Sequence, residues 1–517
     1  MKNPILFSFE PIAWLPFLSV SKLKKVTMGK PALALLLFSF LSSTLHAQVS
    51  LQWVKQLGGG FDVYRPFAPA GDGLGHVSRK ASSVATDKMN NIYVAGHYGD
   101  STDFGNGVWM IPPSNHGTVM FLAKYDSAGN FLFVKNFYGL GNPTWVRGHR
   151  FDNQFIRIDT AGNVFLTAHL KGGASDLDPG PGVFSGNANM YYLLKLTANG
   201  DFVNAVPISW NLTGPASSSE LAKIYKMTNE HFYVKSQFKI FRYNLNLDLD
   251  LTIDVRVSSG LEYNELNLGY GNGGIHSFDV DTNGLIYCFL SHSKSICQTP
   301  NYWLVKYSAN GTRLWTKPFI NYSGISLYKN RLKATGYLPF QQPIDVDPGI
   351  DSFFVSGSAE FPGFVAEFDT AGQFLHARTV SRFSSGSVAA TTLLGTNSIG
   401  DMNNTNDSLR YYYEGKSGTR TFLARGVSDF VITNSDDFDN LISLTHFGGA
   451  GDERVGDWTL DRSGNMIVVG TFSHADDCDY DPGPNTVKLI NTFMVSDPVF
   501  YNYTQNSIFL IKLKLNP

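Results

Sequence analysis

The sequence has almost no excess of charge of either sign. Its 517 residues include 41 Lys and Arg against 43 Asp and Glu, so the formal net charge is -2, and only 16% of the residues are charged. A protein that binds nucleic acid needs clustered basic residues to attract the phosphate backbone. The composition offers no such excess, and we expect no nucleic-acid partner.

Cysteine is nearly absent. The chain contains three, Cys288, Cys297 and Cys478, with no Cys-x-x-Cys pair and no histidines at metal-binding spacing. This excludes a zinc-binding motif and a disulfide framework, so packing must hold the fold together. Cys288 and Cys297 flank a predicted hairpin, where they could pair in an oxidising compartment or remain two buried thiols.

Motifs of the common catalytic sites are also missing. The sequence has no His-Glu-x-x-His helix, no Gly-x-Ser-x-Gly elbow and no phosphate loop of the Gly-x-x-x-x-Gly-Lys type. It therefore predicts no catalytic residue, and it favours a binding function over an enzymatic one.

One apolar run near the N-terminus is too short for a membrane span. The segment PALALLLFSFLSSTLHA, residues 31–47, follows a lysine cluster and falls short of the roughly 20 apolar residues that a span needs. Such a pattern is typical of a secretory signal, although a membrane anchor is the alternative. We predict a signal peptide over residues 1–47, with a possible true start at residue 28. The mature chain is expected outside the cytoplasm, secreted, at the cell surface or in the periplasm, with no transmembrane segment.

Glycine and aromatic residues, in contrast, are plentiful. The 50 glycines and 14% aromatics, within 43% apolar residues, suit a turn-rich all-β protein with a large core. One line of strand, tight turn and strand recurs four times in clear form. Its copies are FLAKYDSAGNFLFVKNF from Phe121, YLLKLTANGDFVNAVPI from Tyr192, WLVKYSANGTRLWTKPF from Trp303 and FVAEFDTAGQFLHARTV from Phe364.

A second line of strand, turn and strand precedes the first. It is clear as SSVATDKMNNIYVAGHY from Ser82 and as WTLDRSGNMIVVGTF from Trp458. Each unit therefore offers four strands over a period of about 60 residues, and weaker copies bring the count to seven. Tandem four-stranded units are typical of propeller blades, which bury their faces against one another. A row of separate β-sandwiches is the alternative.

The last unit lacks an outer strand, and the N-terminal segment supplies a match for it. LQWVKQL at Leu51–Leu57 matches FLFVKNF at Phe131–Phe137. A strand from the N-terminus that completes the last blade would close the ring and remove two open sheet edges. We predict a single β-propeller domain over 48–517, with blades at about 79–138, 148–209, 219–256, 273–320, 322–381, 386–447 and 452–517 plus 50–58.

These repeats resemble those of secreted bacterial seven-bladed β-propeller repeat proteins (SBBP-like). The line DRSGNMIVVG from Asp461 follows the Asp-x-x-Gly-Asn-x-Tyr-Val-x-Gly pattern of that family except for Ile467 in place of Tyr, and FLAKYDSAG from Phe121 follows its Phe-x-x-Lys-x-Asp-x-x-Gly pattern. The chain is also similar to the Asp-Pro-Gly-bearing versions in Bacteroidetes-type exported proteins. The resemblance implies an exported propeller. Around Asn229 and Gly400 the turns are degraded, so the boundaries of blades three and six are open.

Three units carry an acidic corner between their second and third strands. The corners read DLDPGPG from Asp176, DVDPGID from Asp345 and DYDPGPN from Asp479, and the first unit has the simpler TDFGNG around Asp103. Asp before Pro-Gly is favourable turn chemistry. The alternative is a calcium site, because clustered carboxylates are ligands for that cation. Its candidate ligands are Asp176, Asp178, Asp345, Asp347, Asp479 and Asp481.

A crossing between the first two units gathers aromatic and basic side chains. In TWVRGHR, Trp145 could stack under a sugar while Arg147 and His149 donate hydrogen bonds; packing of Trp145 against a neighbouring blade is the alternative. We predict a monomeric, non-catalytic binding or scaffolding module for a glycan or protein ligand. The alternative is an extracellular hydrolase or lyase acting on glycans, with a site at the propeller face.

Overall fold

The computed structural model describes the chain between Val49 and Leu515, in segments separated by gaps. The segments are 49–58, 80–98, 101–105, 107–111, 119–137, 156–169, 175–187, 190–208, 223–236, 238–259, 274–291, 302–319, 322–328, 330–338, 343–356, 363–380, 397–403, 408–413, 416–423, 428–435, 441–472, 478–489, 494–495, 503–504 and 507–515. All of them belong to one compact unit, Gln48–Pro517. The predicted signal peptide lies outside the described residues.

The regular structure of these segments is β-strand, apart from one helical turn, α1 (Val255–Ser258). No helix in them is long and apolar enough to cross a membrane. The strands are β1 (Val49–Leu57), β2 (Lys80–Thr86), β3 (Ile92–Tyr98), β4 (Thr102–Asp103), β5 (Trp109–Met110), β6 (Val119–Tyr125), β7 (Phe131–Phe137), β8 (Ile156–Ile158), β9 (Val164–His169), β10 (Ser175–Asp176), β11 (Ser185–Gly186), β12 (Tyr191–Leu196), β13 (Phe202–Ile208), β14 (Lys223–Met227), β15 (His231–Lys235), β16 (Lys239–Asn244), β17 (Leu249–Asp254), β18 (Gly274–Val280), β19 (Ile286–Ser291), β20 (Tyr302–Tyr307), β21 (Arg313–Phe319), β22 (Tyr322–Tyr328), β23 (Arg331–Tyr337), β24 (Pro343–Asp345), β25 (Phe354–Ser356), β26 (Gly363–Phe368), β27 (Phe374–Val380), β28 (Asn397–Asn403), β29 (Ser408–Tyr413), β30 (Lys416–Leu423), β31 (Ser428–Ser435), β32 (Leu441–Phe447), β33 (Arg454–Leu460), β34 (Met466–Phe472), β35 (Met494–Val495), β36 (Tyr503–Thr504) and β37 (Ser507–Leu515).

Most of these strands form antiparallel sheets that follow one another along the chain. In strand order they are sheet 1 (β2-β3-β6-β7), sheet 2 (β8-β9-β12-β13), sheet 3 (β14-β15-β16-β17), sheet 4 (β18-β19-β20-β21), sheet 5 (β22-β23-β26-β27), sheet 6 (β28-β31-β32) and sheet 7 (β33-β34-β37-β1). Short two-stranded pairs such as β4-β5, β10-β11 and β24-β25 lie in the connections. The prediction of an all-β protein built from repeated four-stranded sheets is confirmed.

Sheet 6 departs from the predicted four strands. In the residues that the structure describes it has three, because β28 pairs directly with β31 and the hairpin β29-β30 pairs within itself. No Asp-x-x-Gly-Asn turn follows β28 to return the chain at once as a neighbouring strand. The unit whose boundaries stayed open in the sequence is therefore also the unit whose strand order differs from that of the other sheets.

The recurring turns are fixed by their own side chains. In sheet 1, Asp126 Oδ1 accepts the backbone N–H of Ala128 and Asn130 at 2.9 Å, and Asp126 Oδ2 accepts the Asn130 side-chain amide at 2.8 Å. The Gly129 N–H donates to the Asp126 carbonyl, with Gly129 at φ +81°, which a glycine adopts without strain. Asp159, Asp369 and Asp461 accept backbone N–H groups two and four residues ahead in the same way.

The turn between the third and fourth strands of several sheets also receives a cation from the preceding sheet. Lys124, on the third strand of sheet 1, donates from Nζ to the carbonyl of Ala198, the second residue of the next turn, at 3.0 Å. The same link recurs between other consecutive sheets. Its members are Lys195 to Leu245, Arg242 to Ala309, Lys306 to Thr370 and, from sheet 7 to sheet 1, Lys512 to Ser127. The side chains of these links are largely buried, with Lys124, Lys306 and Lys512 only 7%, 9% and 5% exposed.

Strand β1 occupies the outer position of sheet 7. It pairs antiparallel with β37 from Val49 opposite Leu515 to Leu57 opposite Ile508. Its side chains also pack on the turn of sheet 1: a Cβ on Gly129 would lie 3.1 Å from both Trp53 and Lys55. Phe133 and Lys135 of sheet 1 crowd Gly200 of sheet 2 in the same way. The match between LQWVKQL and FLFVKNF therefore corresponds to equivalent structural positions.

Sheets 7 and 1 share an apolar core. One cluster of buried residues joins Ile467, Val469 and Leu510 of sheet 7 to Val84 and Phe121 of sheet 1. Burying such side chains stabilises the fold by about 1.5–3 kcal/mol each. The first and last sheets along the chain are therefore packed neighbours.

We predict that removal of β1 destabilises both of these sheets. Deleting residues 1–60 should cause aggregation and lower the melting temperature, because it exposes the edge of β37 and uncovers the turn at Gly129. Size-exclusion chromatography and thermal unfolding measure the effect, and a chain that lacks only residues 1–47 is the control. A monomeric deletion variant with the control's melting temperature would show that β1 does not complete sheet 7.

Candidate functional site

The three Asp-Pro-Gly corners are small hairpins between the second and third long strands of sheets 2, 5 and 7. In sheet 2, Asp176 Oδ1 accepts the N–H of Asp178 and, across the hairpin, the N–H of Phe184, both at 2.9 Å. Asp178 Oδ1 accepts the N–H of Gly180 at 2.7 Å. Leu177, between the two aspartates, is fully buried. One aspartate thus closes the hairpin and the other shapes its tip.

The other two corners repeat this bonding. Asp345 accepts from Asp347 and Phe353, and Asp479 accepts from Asp481 and Val487, at 2.9–3.1 Å. The second aspartates, Asp347 and Asp481, accept from the glycine two residues ahead, at 2.7 and 2.8 Å. Val346 and Tyr480 are the buried middle residues. These are the turns that Asp-Pro-Gly chemistry predicts.

The corner of sheet 1 is a variant that lies beside the end of β1. Asp103 Oδ1 accepts the N–H of Gly105 at 2.8 Å and of Gly107 at 3.2 Å, and the ring of Phe104 is buried below. The Gly58 N–H donates to the Asp103 carbonyl at 2.9 Å. Since Gly58 opens the connection from sheet 7 to sheet 1, corner and connection lie at one end of the molecule here.

The corners also expose apolar side chains. In sheet 5, Ile350 is fully exposed and Phe354 is 63% exposed, and in sheet 1 Trp109 is 43% exposed. Ile111 of sheet 1 and Val183 of sheet 2 are exposed in the same way. Single exposed apolar side chains are ordinary on a protein surface, whereas several that form one patch mark a surface that contacts a partner.

The predicted calcium ligands do not form a recognisable cation site in the described segments. No group of three or more His, Cys, Asp or Glu side chains there could hold a metal ion. The Oδ1 atom of each corner aspartate accepts a hydrogen bond from a backbone N–H group of its own turn. Asp476 and Asp477, which crowd the third corner in sequence, lie outside the described residues. Calcium binding stays a prediction.

The predicted ligand-binding residues Trp145, Arg147 and His149 also lie outside the described residues. Of the cysteines, Cys288 is a free, buried thiol on β19 and Cys478 is a free, buried thiol beside the third corner, whereas Cys297 is not described. Burial raises the pKa of both the Cys288 and the Cys478 thiols. Neither is therefore an activated nucleophile.

A buried carboxylate between sheets 7 and 1 was not predicted from the sequence. Asp457 Oδ2 accepts the Ser83 hydroxyl and the Val84 N–H at 2.9 Å, and Asp457 Oδ1 accepts the Trp458 N–H at 2.8 Å. Burial raises the pKa of Asp457 to about 6, against the lowering effect of these hydrogen bonds and of Arg157. The repeat held a signal for it, since Ser83 and Asp457 both lie four residues before the turn aspartate.

A second buried polar group lies between sheets 6 and 7. Asp429 on β31 lies 2.6 Å from His446 Nε2 on β32, and the Gly449 N–H donates to Glu453 at 3.0 Å. A Cβ on Gly448 would lie 2.1 Å from the Asp429 carboxyl, so glycine is required there. These contacts hold β31 against residues 448–453, which lead into β33 of sheet 7. The buried polar group therefore serves packing between sheets 6 and 7.

Comparisons with known proteins give only distant structural likenesses, since no protein-family model and no curated protein matches the chain. The chain is similar to the WD40 domain of Pan2 from Neurospora crassa, with 8% identity over 80% of this chain and 91% of that one and a TM-score of 0.36. It is similar to a GH74 xyloglucanase from Xanthomonas campestris, with 11% identity over 85% and 62% of the two chains and a TM-score of 0.36. It is also similar to a protein of unknown function from Bacteroides caccae, with 14% identity over 51% and 93% and a TM-score of 0.22. None of these likenesses assigns a function.

Replacement of the second corner aspartates should separate the turn role from calcium binding. If the aspartates act as turns, changing Asp178, Asp347 and Asp481 together to Asn should change the melting temperature little, because Asn accepts the same N–H. Thermal unfolding of wild type and variant, each with calcium and with chelator, tests this. A bound cation would stabilise the wild type by about 2.7 kcal/mol at a hundredfold excess over its dissociation constant. A calcium-dependent rise that the variant loses would identify a metal site.

Asp457 should make stability depend on pH. Its folded-state pKa of about 6 exceeds the ordinary 3.8, so the folded protein holds this proton more tightly than the unfolded chain. Ionisation of Asp457 therefore destabilises the fold, by up to about 3 kcal/mol once the pH has risen through this window. Asp457→Asn removes the charge and keeps an acceptor. Its free energy of unfolding relative to wild type should rise between about pH 4 and 6 and then level off.

Asp126→Asn is the matched control, measured by urea unfolding across the same pH range. Burial alone would raise the pKa of Asp126. Hydrogen bonds from Asn130, Ala128 and Gly129 outweigh burial and lower this pKa. The folded chain therefore holds that proton less tightly, and the difference between this variant and wild type should change with pH in the opposite direction, at about pH 4 and below. Equal pH profiles for Asp457→Asn and wild type would contradict the role given to Asp457.

Proposed function

We propose that this chain is a closed, seven-bladed β-propeller, exported from the cytoplasm, that binds a glycan or protein partner without catalysis. Its seven blades are sheets 1 to 7. The corners form its binding face. Export is supported by the apolar run of residues 31–47 behind its lysines.

The closed ring is supported by links from sheet 7 to sheet 1 that repeat those between other consecutive sheets. Lys512 bonds the carbonyl of Ser127 as Lys124 bonds that of Ala198. Asp457 accepts an N–H of sheet 1, and Ser83 likewise accepts the N–H of Ile156 in sheet 2. A linear row of sheets would leave the turn of sheet 1 without this partner.

The exposed apolar residues at the corners carry the proposal of a binding role. Trp109, Ile350 and Phe354 stand on hairpins whose backbones are fixed by buried middle residues and by aspartate hydrogen bonds. A backbone that is already fixed loses little conformational entropy on binding, and aromatic rings stack on sugar or peptide surfaces. The enzymatic alternative needs two carboxylates that face a common substrate. The described corner carboxylates instead bond their own turns.

A glycan array probed with the protein of residues 48–517 tests the proposal. We expect the wild type to bind a restricted set of glycans, and the variant Trp109→Ser, Ile350→Ser, Phe354→Ser to lose at least tenfold in affinity for them. If a purified protein partner is found instead, the same variant should lose that binding.

The matched control replaces Leu132, Leu314 and Leu375 by Ser. These residues are exposed to a similar degree but lie on the outer strands, away from the corners, and their loss should leave affinity unchanged. Retained binding by the corner variant, or loss in the control alone, would refute the corner face. Shortening of the bound glycan during incubation would favour the enzymatic alternative.

A further inference from the structure

Arg157 is a partly buried arginine that uses few of its hydrogen-bond donors. It lies on β8, the first strand of sheet 2, and Nη1 donates to the neighbouring Ile156 carbonyl at 2.8 Å. A guanidinium carries five N–H donors in a planar fork. Among the residues that the structure describes, no other hydrogen bond to this side chain is formed. The residue keeps partial contact with solvent.

No carboxylate in the described part of the chain neutralises this charge at ion-pair distance. Asp457 is the acidic group whose charge acts on Arg157, and burial lowers the pKa of Arg157 while Asp457 raises it. Both oxygens of Asp457 are already engaged, by Ser83 and Val84 on one side and by Trp458 on the other. Among the described residues, the guanidinium is therefore a partly buried cation without a bonded counter-charge.

We propose that Arg157 is the anchor of an oxyanion-binding site, which takes the carboxylate or phosphate group of a ligand between the first strands of sheets 7, 1 and 2. Unpaired charge inside a protein is costly, and an anion that fills the open donors offsets that cost. The planar fork matches two oxygens of a carboxylate or phosphate at once. The positive charge of the guanidinium favours an anion over a cation, although the nearby Asp457 carboxylate opposes it.

Thermal unfolding of the protein of residues 48–517 in sodium phosphate, sodium acetate or sodium chloride at equal ionic strength and pH 7.5 tests the site. Phosphate, acetate or both should raise the melting temperature above the chloride value in a saturable manner, as a ligand specific to the folded state does. The salt that raises the melting temperature shows whether the site binds a phosphate or a carboxylate group. Equal melting temperatures in all three salts would overturn the proposal.

Variants separate this site from general salt effects. Arg157→Gln should abolish the rise, and Arg157→Lys should weaken anion affinity at least tenfold because the fork is lost. Arg454→Gln is the matched control, since Arg454 also lies on a first strand but already pairs with Asp452 at 2.7 Å; it should keep the rise. A rise that survives in Arg157→Gln, or that Arg454→Gln loses equally, would refute the assignment.

Stability without added anion is a second readout. In sodium chloride at pH 5, below the Asp457 pKa of about 6, Arg157→Gln should melt at or above the wild-type temperature, because it removes an unpaired charge. If this variant does not fold, the phosphate titration of Arg157→Lys decides, with unchanged affinity overturning the proposal. The site does not involve the corner residues, so its failure and the failure of the proposed corner face are distinguishable.

Discussion

The fold depends on a buried cation that each of several sheets extends to the turn of the next. Moving an ammonium out of water costs several kcal/mol, so Lys124, Lys306 and Lys512 need their carbonyl acceptors. Burial lowers the pKa of Lys124 and Lys306, while neighbouring aspartates, such as Asp87 beside Lys124, raise it. Such a carbonyl is available only if the receiving turn has the right shape and its glycine lets the outer strand approach. Turn sequence, glycine position and sheet spacing are therefore one coupled constraint, which explains why they recur together.

The sequence predicted this repeating part well, because tight turns and alternating strands are local features. It also matched Leu51–Leu57 to the outer strand of sheet 1, and the contacts of Trp53 and Lys55 with Gly129 show the physical basis of that match. The polar groups between sheets were not predicted. Asp457 and Arg157 acquire their properties from burial among residues far away in sequence. The repeat marks the position of Asp457, four residues before the turn aspartate, but it does not report the burial. Sheet 6 was predicted least well because the turn that would set its strand order is absent.

The corners combine a fixed frame with variable tips. Their aspartates and buried middle residues repeat, so the backbone of each hairpin is set by local bonds. The tip residues differ, from Val183 in sheet 2 to Ile350 in sheet 5, and no packing requirement fixes their identity. Such a division lets the tips change without loss of the fold, which is the arrangement expected of loops that bind. For the same reason, the Asp-Pro-Gly pattern reports structure more directly than it reports a ligand.

The pairing of β1 with β37 also sets the order in which the molecule can assemble. Leu57 and Ile508 are partners in one ladder although nearly the whole described chain separates them. Contacts of such long sequence separation form slowly, because the intervening chain must first be brought together. Sheets 2 to 5 can form from local hairpins as they are synthesised, whereas sheet 7 must wait for both of its ends. Until then β1 is an unpaired apolar strand, so the folding chain is most prone to misassociation just before its last sheet is complete.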